Sequence, residues 1–125
     1  MQGCCIGIIA TLMSHADFIY CSEDTFVLTP FQSTNLAPEG LSSIKYVEIL
    51  GRRKASEMLL TDYKLKAEEA VRLGFANGII TKAALPATEP IIVEVDKLPN
   101  MRKLLQADYR TLVNAKKLIV EGQDL

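Results

Sequence analysis

Two short stretches of the chain hold residues whose types and spacing suit chemistry. The first, Gly3-Cys-Cys-Ile-Gly-Ile-Ile-Ala-Thr-Leu-Met13, is a small-residue turn that runs into a short, wholly apolar helix. Gly3 and Gly7 lack a Cβ, so backbone can approach another group closely there. The helix that follows turns unpaired N–H groups and the positive end of its dipole toward whatever precedes it, which suits an anion. The second stretch, Thr29-Pro-Phe-Gln-Ser-Thr-Asn-Leu-Ala-Pro-Glu-Gly40, sets one carboxylate, Glu39, between Pro38 and Gly40 in a loop otherwise apolar or uncharged. An oxyanion donor and a lone carboxylate in apolar surroundings are the two parts needed to move a proton next to a carbonyl.

The remaining composition narrows the field. A chain of 125 residues with 49% hydrophobic and 23% charged residues is globular in type and long enough for one sizeable core. A net charge of −1, with no Trp, favours neither nucleic acid nor an anionic membrane surface. Cys4, Cys5 and Cys21 are odd in number and lack metal-ligand spacing, so they read as buried free thiols. His15, the only histidine, stands where a side chain caps carbonyls or packs. No nucleophile–His pair and no metal set can be assembled. The N-terminal apolar run of about ten residues has no basic flank and is too short to span a bilayer. The terminal Gly-Gln-Asp-Leu125 is not a Ser-Lys-Leu type of address.

The elements that must position the two stretches follow from pattern. Residues 7–15 are apolar all round, which predicts a buried helix. Phe18 to Cys21 and Phe26 to Thr29 read as strands around a polar Ser22-Glu-Asp24 turn. Asn35 tolerates the positive φ that a turn in the Glu39 loop needs. Residues 42–50 are expected to be a helix capped by Ser42 or Ser43, and 53–61 another with Ala55, Met58 and Leu59 on one side. Tyr63 to Leu65 reads as extended, 66–73 as a third helix with Lys66 at the capping position and Gly74 after its end, and Phe75 to Thr81 as a strand. Ile91 to Val95 reads as a strand by composition, and Met101 to Glu121 as a helix.

In order along the chain stand Gly3-x-x-Ile-Gly-Ile, Ala16-Asp-Phe-Ile-Tyr20, Thr25-Phe26, Thr29-Pro-Phe31, Pro38-Glu-Gly40, Ser42-Ser43, Lys54-Ala-Ser-Glu-Met-Leu59 and Leu65-x-Ala-Glu-Glu-Ala70. Together they resemble the enoyl-CoA hydratase/isomerase, or crotonase, family, and within it the peroxisomal Δ3,Δ2-enoyl-CoA isomerase branch. The resemblance covers residues 1 to 82 well and the rest loosely. It implies an α/β fold: a partial crotonase-like ββα-spiral domain with several helices packed on short strands. Residues 1–82 would carry the oxyanion turn and the Glu loop, and 83–125 a truncated helical extension. Met1-Gln2-Gly3 stands where family members have the end of a buried strand, so the resemblance also implies a fragment, a shortened product or a half-domain.

Site roles follow residue by residue from the same resemblance. Hydratases of the family use two glutamates, and those places fall here on Thr11 and Phe31, which cannot hold and deprotonate a water. Isomerases of the peroxisomal type use the single carboxylate of the Pro-Glu-Gly loop, here Glu39. The implied oxyanion donor is the backbone N–H of Ile8, after Gly7. Phe31, Leu36 and Pro38 would line an acyl pocket or pack in the core. Arg52-Arg53-Lys54 reads as a solvated basic turn rather than a phosphate contact. The family's second oxyanion donor and most of its CoA surface come from an earlier part of the domain. The implied partner is a fatty acyl-CoA thioester, with coenzyme A part of the substrate and no resident cofactor. A homo-oligomer (trimer or hexamer), a peroxisomal setting (with a mitochondrial or cytoplasmic one as the alternatives) and no nucleic-acid or membrane partner complete the expectation. The alternative is a non-catalytic crotonase-like module that binds acyl-CoA or a protein.

Overall fold

The computed structural model describes residues 1–87 and 93–123. The chain divides into two compact units, Met1–Leu85 and Pro86–Leu125.

The first unit contains both chemical stretches. Its first strand, β1 (Cys4–Ile6), pairs in parallel with β3 (Phe26–Leu28), with Cys4 opposite Phe26 and Ile6 opposite Leu28. β3 pairs on its other side, antiparallel, with β4 (Leu65–Lys66). A second, two-stranded sheet joins β2 (Tyr20–Ser22) in parallel to β5 (Gly78–Ile80). Between β2 and β3 the Ser22 hydroxyl accepts the Gly3 N–H at 3.2 Å and donates to Asp24, holding that carboxyl below its usual range. α1 (Ile8–Met13) leaves β1 directly, and α2 (Ser42–Thr61) follows the Glu39 loop. α2 breaks at Gly51 (φ 76°, ψ 159°) into two helical stretches, with the interruption where the sequence places it.

The core explains why these elements close on one another. Val27, Tyr46, Ala55, Met58, Leu65, Ala70 and Phe75 are sealed from solvent in one cluster, and Tyr46 meets Phe75 edge-on with ring centroids 5.6 Å apart. Ala55, Met58 and Leu59 form the inward face of the second half of α2, as their spacing predicts. α3 (Ala67–Arg72) starts from an uncapped Lys66 and ends before Gly74 (φ 83°), also as predicted. Lys54 bridges Glu57 and Glu69 on the surface, and Tyr63 donates to Glu69 at 2.7 Å.

Several expectations are corrected. α1 is not buried all round: Ala10 and Thr11 face inward, while Ile8, Ile9 and Leu12 are about half exposed. An apolar helix says that its faces avoid water, not which neighbour covers them. Neither Ser42 nor Ser43 caps α2. Leu41 occupies that place at φ 61°, and the Ser42 hydroxyl points into the core instead. Cys4 is exposed, leaving Cys5 and Cys21 buried, where loss of solvation pushes both thiols up. The strand expected over Ile91 to Val95 lies partly outside the described residues. Val93 and Glu94 have no regular structure, and Val95–Lys97 is a 3-10 turn.

In the second unit the single helix expected from Met101 to Glu121 is two, α4 (Arg102–Gln106) and α5 (Tyr109–Gln123). Ala107 is extended (φ −74°, ψ 148°), and Asp108 accepts the Thr111 N–H at 3.0 Å. A carboxylate so placed starts a new helix.

Candidate active site

The glycine turn is built by strand pairing. The Gly7 N–H donates to Leu28 O at 2.9 Å, extending the β1–β3 ladder by one bond. Gly7 then adopts φ 67°, ψ −134°, a region open to glycine, and the chain swings from strand into α1. A Cβ at Gly3 or Gly7 would meet nothing within 4 Å. Backbone conformation, rather than close approach, is therefore what selects glycine at both places. The first backbone bond of α1 runs from the Thr11 N–H to Gly7 O at 3.2 Å. The Ile8 N–H precedes it in the first turn, where a helix has no internal acceptor to offer.

The Glu39 loop is fastened at both ends. At its start the Asp62 carboxylate, in the left-handed residue (φ 53°) that ends α2, accepts the Gln32 N–H at 3.1 Å, the Ser33 N–H at 2.9 Å and the Ser33 hydroxyl. These bonds hold the Asp62 carboxyl below its usual range, the Ser33 hydroxyl foremost. Within the loop Leu36 N–H donates to Phe31 O at 2.8 Å, and Asn35 takes the expected positive φ of 55°. At its end the Ser42 N–H donates to Glu39 O at 3.1 Å.

Gly40 seats this end on α1. A Cβ there would lie 2.5 Å from Thr11 Cγ2 and 3.5 Å from Ile8 Cδ1, so only glycine fits. The Gly40 carbonyl, an acceptor only, takes a hydrogen bond from His15 Nε2 at 2.9 Å, which fixes the hydrogen on that nitrogen. The segment bearing Glu39 therefore lies against the side of α1 that includes Ile8. Glu39 is exposed rather than enclosed by apolar groups. Phe31 is buried in the core, Pro38 half-buried and Leu36 exposed.

Beneath the loop lies a buried polar cluster that the sequence did not announce. Thr11, Thr29, Ser42 and Tyr46 are all fully buried. Among the described residues the hydroxyls of Thr29, Ser42 and Tyr46 have no partner in hydrogen-bond geometry. Burial pushes the Tyr46 phenol up to about 12, although the Thr29 and Thr11 hydroxyls lie near enough to oppose the rise. His15 does bond a carbonyl, but that of distant Gly40 rather than one at the end of α1, and the Asp62 tie is likewise non-local. Each joins residues about 25 to 30 apart, as His15 to Gly40 and Ser33 to Asp62, and nothing in the local pattern marks them.

Chemically, the arrangement offers one carboxylate able to exchange a proton and a helix start able to receive a developing negative charge. Thr11 and Phe31 supply no second carboxylate, and both are buried. Among the described residues no three His, Cys, Asp or Glu side chains gather as a metal site requires, and no helix is long and apolar enough to cross a membrane.

The profile of the enoyl-CoA hydratase/isomerase family matches residues 1–120. The chain is 43% identical over 82 residues to the Delta(3,5)-Delta(2,4)-dienoyl-CoA isomerase of Pyricularia oryzae, covering 66% of this chain and 29% of that protein. It is 26% identical over 115 residues to human Chromodomain Y-like protein, covering 90% of this chain and 19% of that one. Among solved structures it superposes with a TM-score of 0.78 and 29% identity on a protein named as an enoyl-CoA hydratase/isomerase from Acinetobacter baumannii. That match covers 98% of this chain and 50% of the other. The chain thus spans less than a third of the curated relatives it matches and half of that solved structure.

Proposed function

The chain belongs to the enoyl-CoA hydratase/isomerase family, with the crotonase fold, and within it we propose a Δ3,Δ2-enoyl-CoA isomerase that acts on unsaturated fatty acyl-CoA thioesters. The observation that supports this reading is the seating of Gly40, the neighbour of Glu39, on Ile8 and Thr11 of α1; by resemblance, the place of a second carboxylate falls on Thr11. Similarity to a protein named as a dienoyl-CoA isomerase supports isomerisation as the class of reaction.

The reaction needs only one base. In a 3-enoyl-CoA the C2 protons are acidic, because the resulting dienolate spreads its charge onto the thioester oxygen. The Glu39 carboxylate takes a proton from C2, breaking the C–H bond. The electron pair moves through C2–C3, the C3–C4 double bond and the thioester oxygen. Glu39 then returns the proton to C4, leaving the 2-enoyl-CoA and an unprotonated carboxylate. Atoms and charge balance without a resident cofactor, coenzyme A being part of the substrate. The Ile8 N–H, with the α1 dipole behind it, would hold the enolate oxygen. A donor so placed contributes about 3–4 kcal/mol to the transition state.

The exposure of Glu39 favours a second reading, a module that binds acyl-CoA without turning it over. The purified protein separates the two. With a 3-enoyl-CoA, the absorbance of the conjugated thioester is expected to rise, and with a 2-enoyl-CoA no 3-hydroxyacyl-CoA is expected to form. Binding without turnover would move the assignment to the module, and steady hydration would overturn the roles given to Thr11 and Phe31.

A further inference from the structure

We propose that His15 and Thr11 are positioning residues that clamp the Gly40 backbone and thereby set where the Glu39 carboxylate stands. The proposal uses the isomerase reading for its kinetic test, but the clamp itself rests on geometry.

The two contacts grip Gly40 in different ways. His15 Nε2 donates to its carbonyl oxygen at 2.9 Å. Thr11 Cγ2 occupies the space a Cβ would need, at 2.5 Å, while Gly40 itself sits at φ 59°. Thr11 is fully buried, so its methyl has no solvent to turn into. Thr11 and His15 lie four residues apart, on one side of a chain that keeps turning past α1. The Ser14 and His15 N–H groups donate to Thr11 O and Leu12 O at 3.2 and 3.1 Å. One residue of α1 therefore fixes the loop by shape, and one just past it by a directed bond. Glu39 is the residue next to the clamped one, and its own carbonyl accepts the Ser42 N–H at 3.1 Å. With both ends of this short segment held, the exposed carboxylate has a defined origin.

Such precision matters for the proposed chemistry. One carboxylate must serve two carbons of an allyl unit in turn, and misplacing a reacting group by about 1 Å costs on the order of 10²-fold in rate.

The test compares His15→Ala with His15→Gln, whose side-chain amide can donate at nearly the same reach. His15→Ala is expected to lower kcat by about 10–10²-fold with KM little changed, and His15→Gln to restore most of it. Independently of turnover, exchange of the Ser42 amide is expected to quicken about tenfold in His15→Ala and to return in His15→Gln. Gly40→Ala should impair kcat, and Thr11→Ser, which removes Cγ2, should recover part of the loss in the double variant. If the unmutated protein converts no 3-enoyl-CoA, the isomerase reading fails and the amide measurement alone decides the clamp. Unchanged Ser42 exchange in His15→Ala overturns the clamp, as does a kcat loss that His15→Gln fails to restore.

Discussion

Replacing Tyr46 by Phe should leave the protein as stable as before or more so, although the side chain is completely buried at the centre of the core. The phenol oxygen has no hydrogen-bond partner among the described residues, and an unsatisfied buried hydroxyl costs about 1–3 kcal/mol. The Thr11 and Thr29 hydroxyls nearby recover part of that cost. A gain of about 1 kcal/mol at pH 7 is therefore expected, equivalent to about 3–5 °C in Tm for a chain of this size. The edge contact with Phe75 survives, because it involves the ring and not the hydroxyl. The effect should also depend on pH in a defined direction. Burial raises the phenol from 10.0 to about 12, so the unfolded chain releases this proton before the folded one. The neutral phenol's contribution is fully present below pH 10 and is lost as pH rises to about 12. A rise of two units is worth about 3 kcal/mol, so the stability gap in favour of Tyr46→Phe should widen by up to that amount across the interval, to about 4 kcal/mol. Urea unfolding of both proteins from pH 7 upward measures it. A Phe variant less stable by more than about 1 kcal/mol at pH 7, or a gap that ignores pH, would refute the picture of an unpartnered phenol.

Other outcomes follow from the packing and the loop. Met58→Ala, at a fully buried place in α2, should cost about 2–5 kcal/mol in chemical denaturation. Asp62→Ala should free the start of the Glu39 loop, seen as faster amide exchange at Gln32 and Ser33 with little change in thermal midpoint, since the carboxylate is near the surface. In the unmutated protein the Asp62 carboxyl is held below its usual range, so its bonds persist above about pH 4 and loosen as pH falls through the lowered value. The Gln32 and Ser33 amide resonances should therefore titrate below the ordinary aspartate range.

Much of the frame is legible in the residues because local chemistry decides it. Gly74 ends α3, Asn35 takes the positive φ of the loop, and Gly51 interrupts α2, each at a place where its residue type is suited to the backbone. Expectations failed where a distant partner decides. β1 is only three residues long and exists through its pairing with β3, whose Phe26 stands opposite Cys4. Ser42 has the residue type of a cap, but its hydroxyl is drawn into the interior beside the Tyr46 turn of the same helix. The exposure of Ile8, Ile9 and Leu12 depends on what lies over α1, and an apolar run carries no information on that. The break before α5 did carry a signal, the Asp108-x-x-Thr111 spacing of a helix start, which the surrounding helical periodicity obscured. At the site, Glu39 and the Gly7 turn stand out by type and spacing. The contacts that join them run through Gly40 to Thr11 and His15, and they become visible only once the loop is folded onto α1.

The assignment of Glu39 as the base is tested most directly by Glu39→Gln in the conversion of 3-enoyl-CoA to 2-enoyl-CoA, followed by the conjugated-thioester absorbance. The amide keeps the size and hydrogen bonding of the carboxylate but cannot accept the C2 proton. A fall in kcat of about 10²–10⁴-fold is expected, with substrate affinity little changed. Glu39→Asp should retain part of the rate, with its carboxylate withdrawn by one methylene. A folded Glu39→Gln protein that converts substrate at the unmutated rate would contradict the account and remove Glu39 from the chemistry.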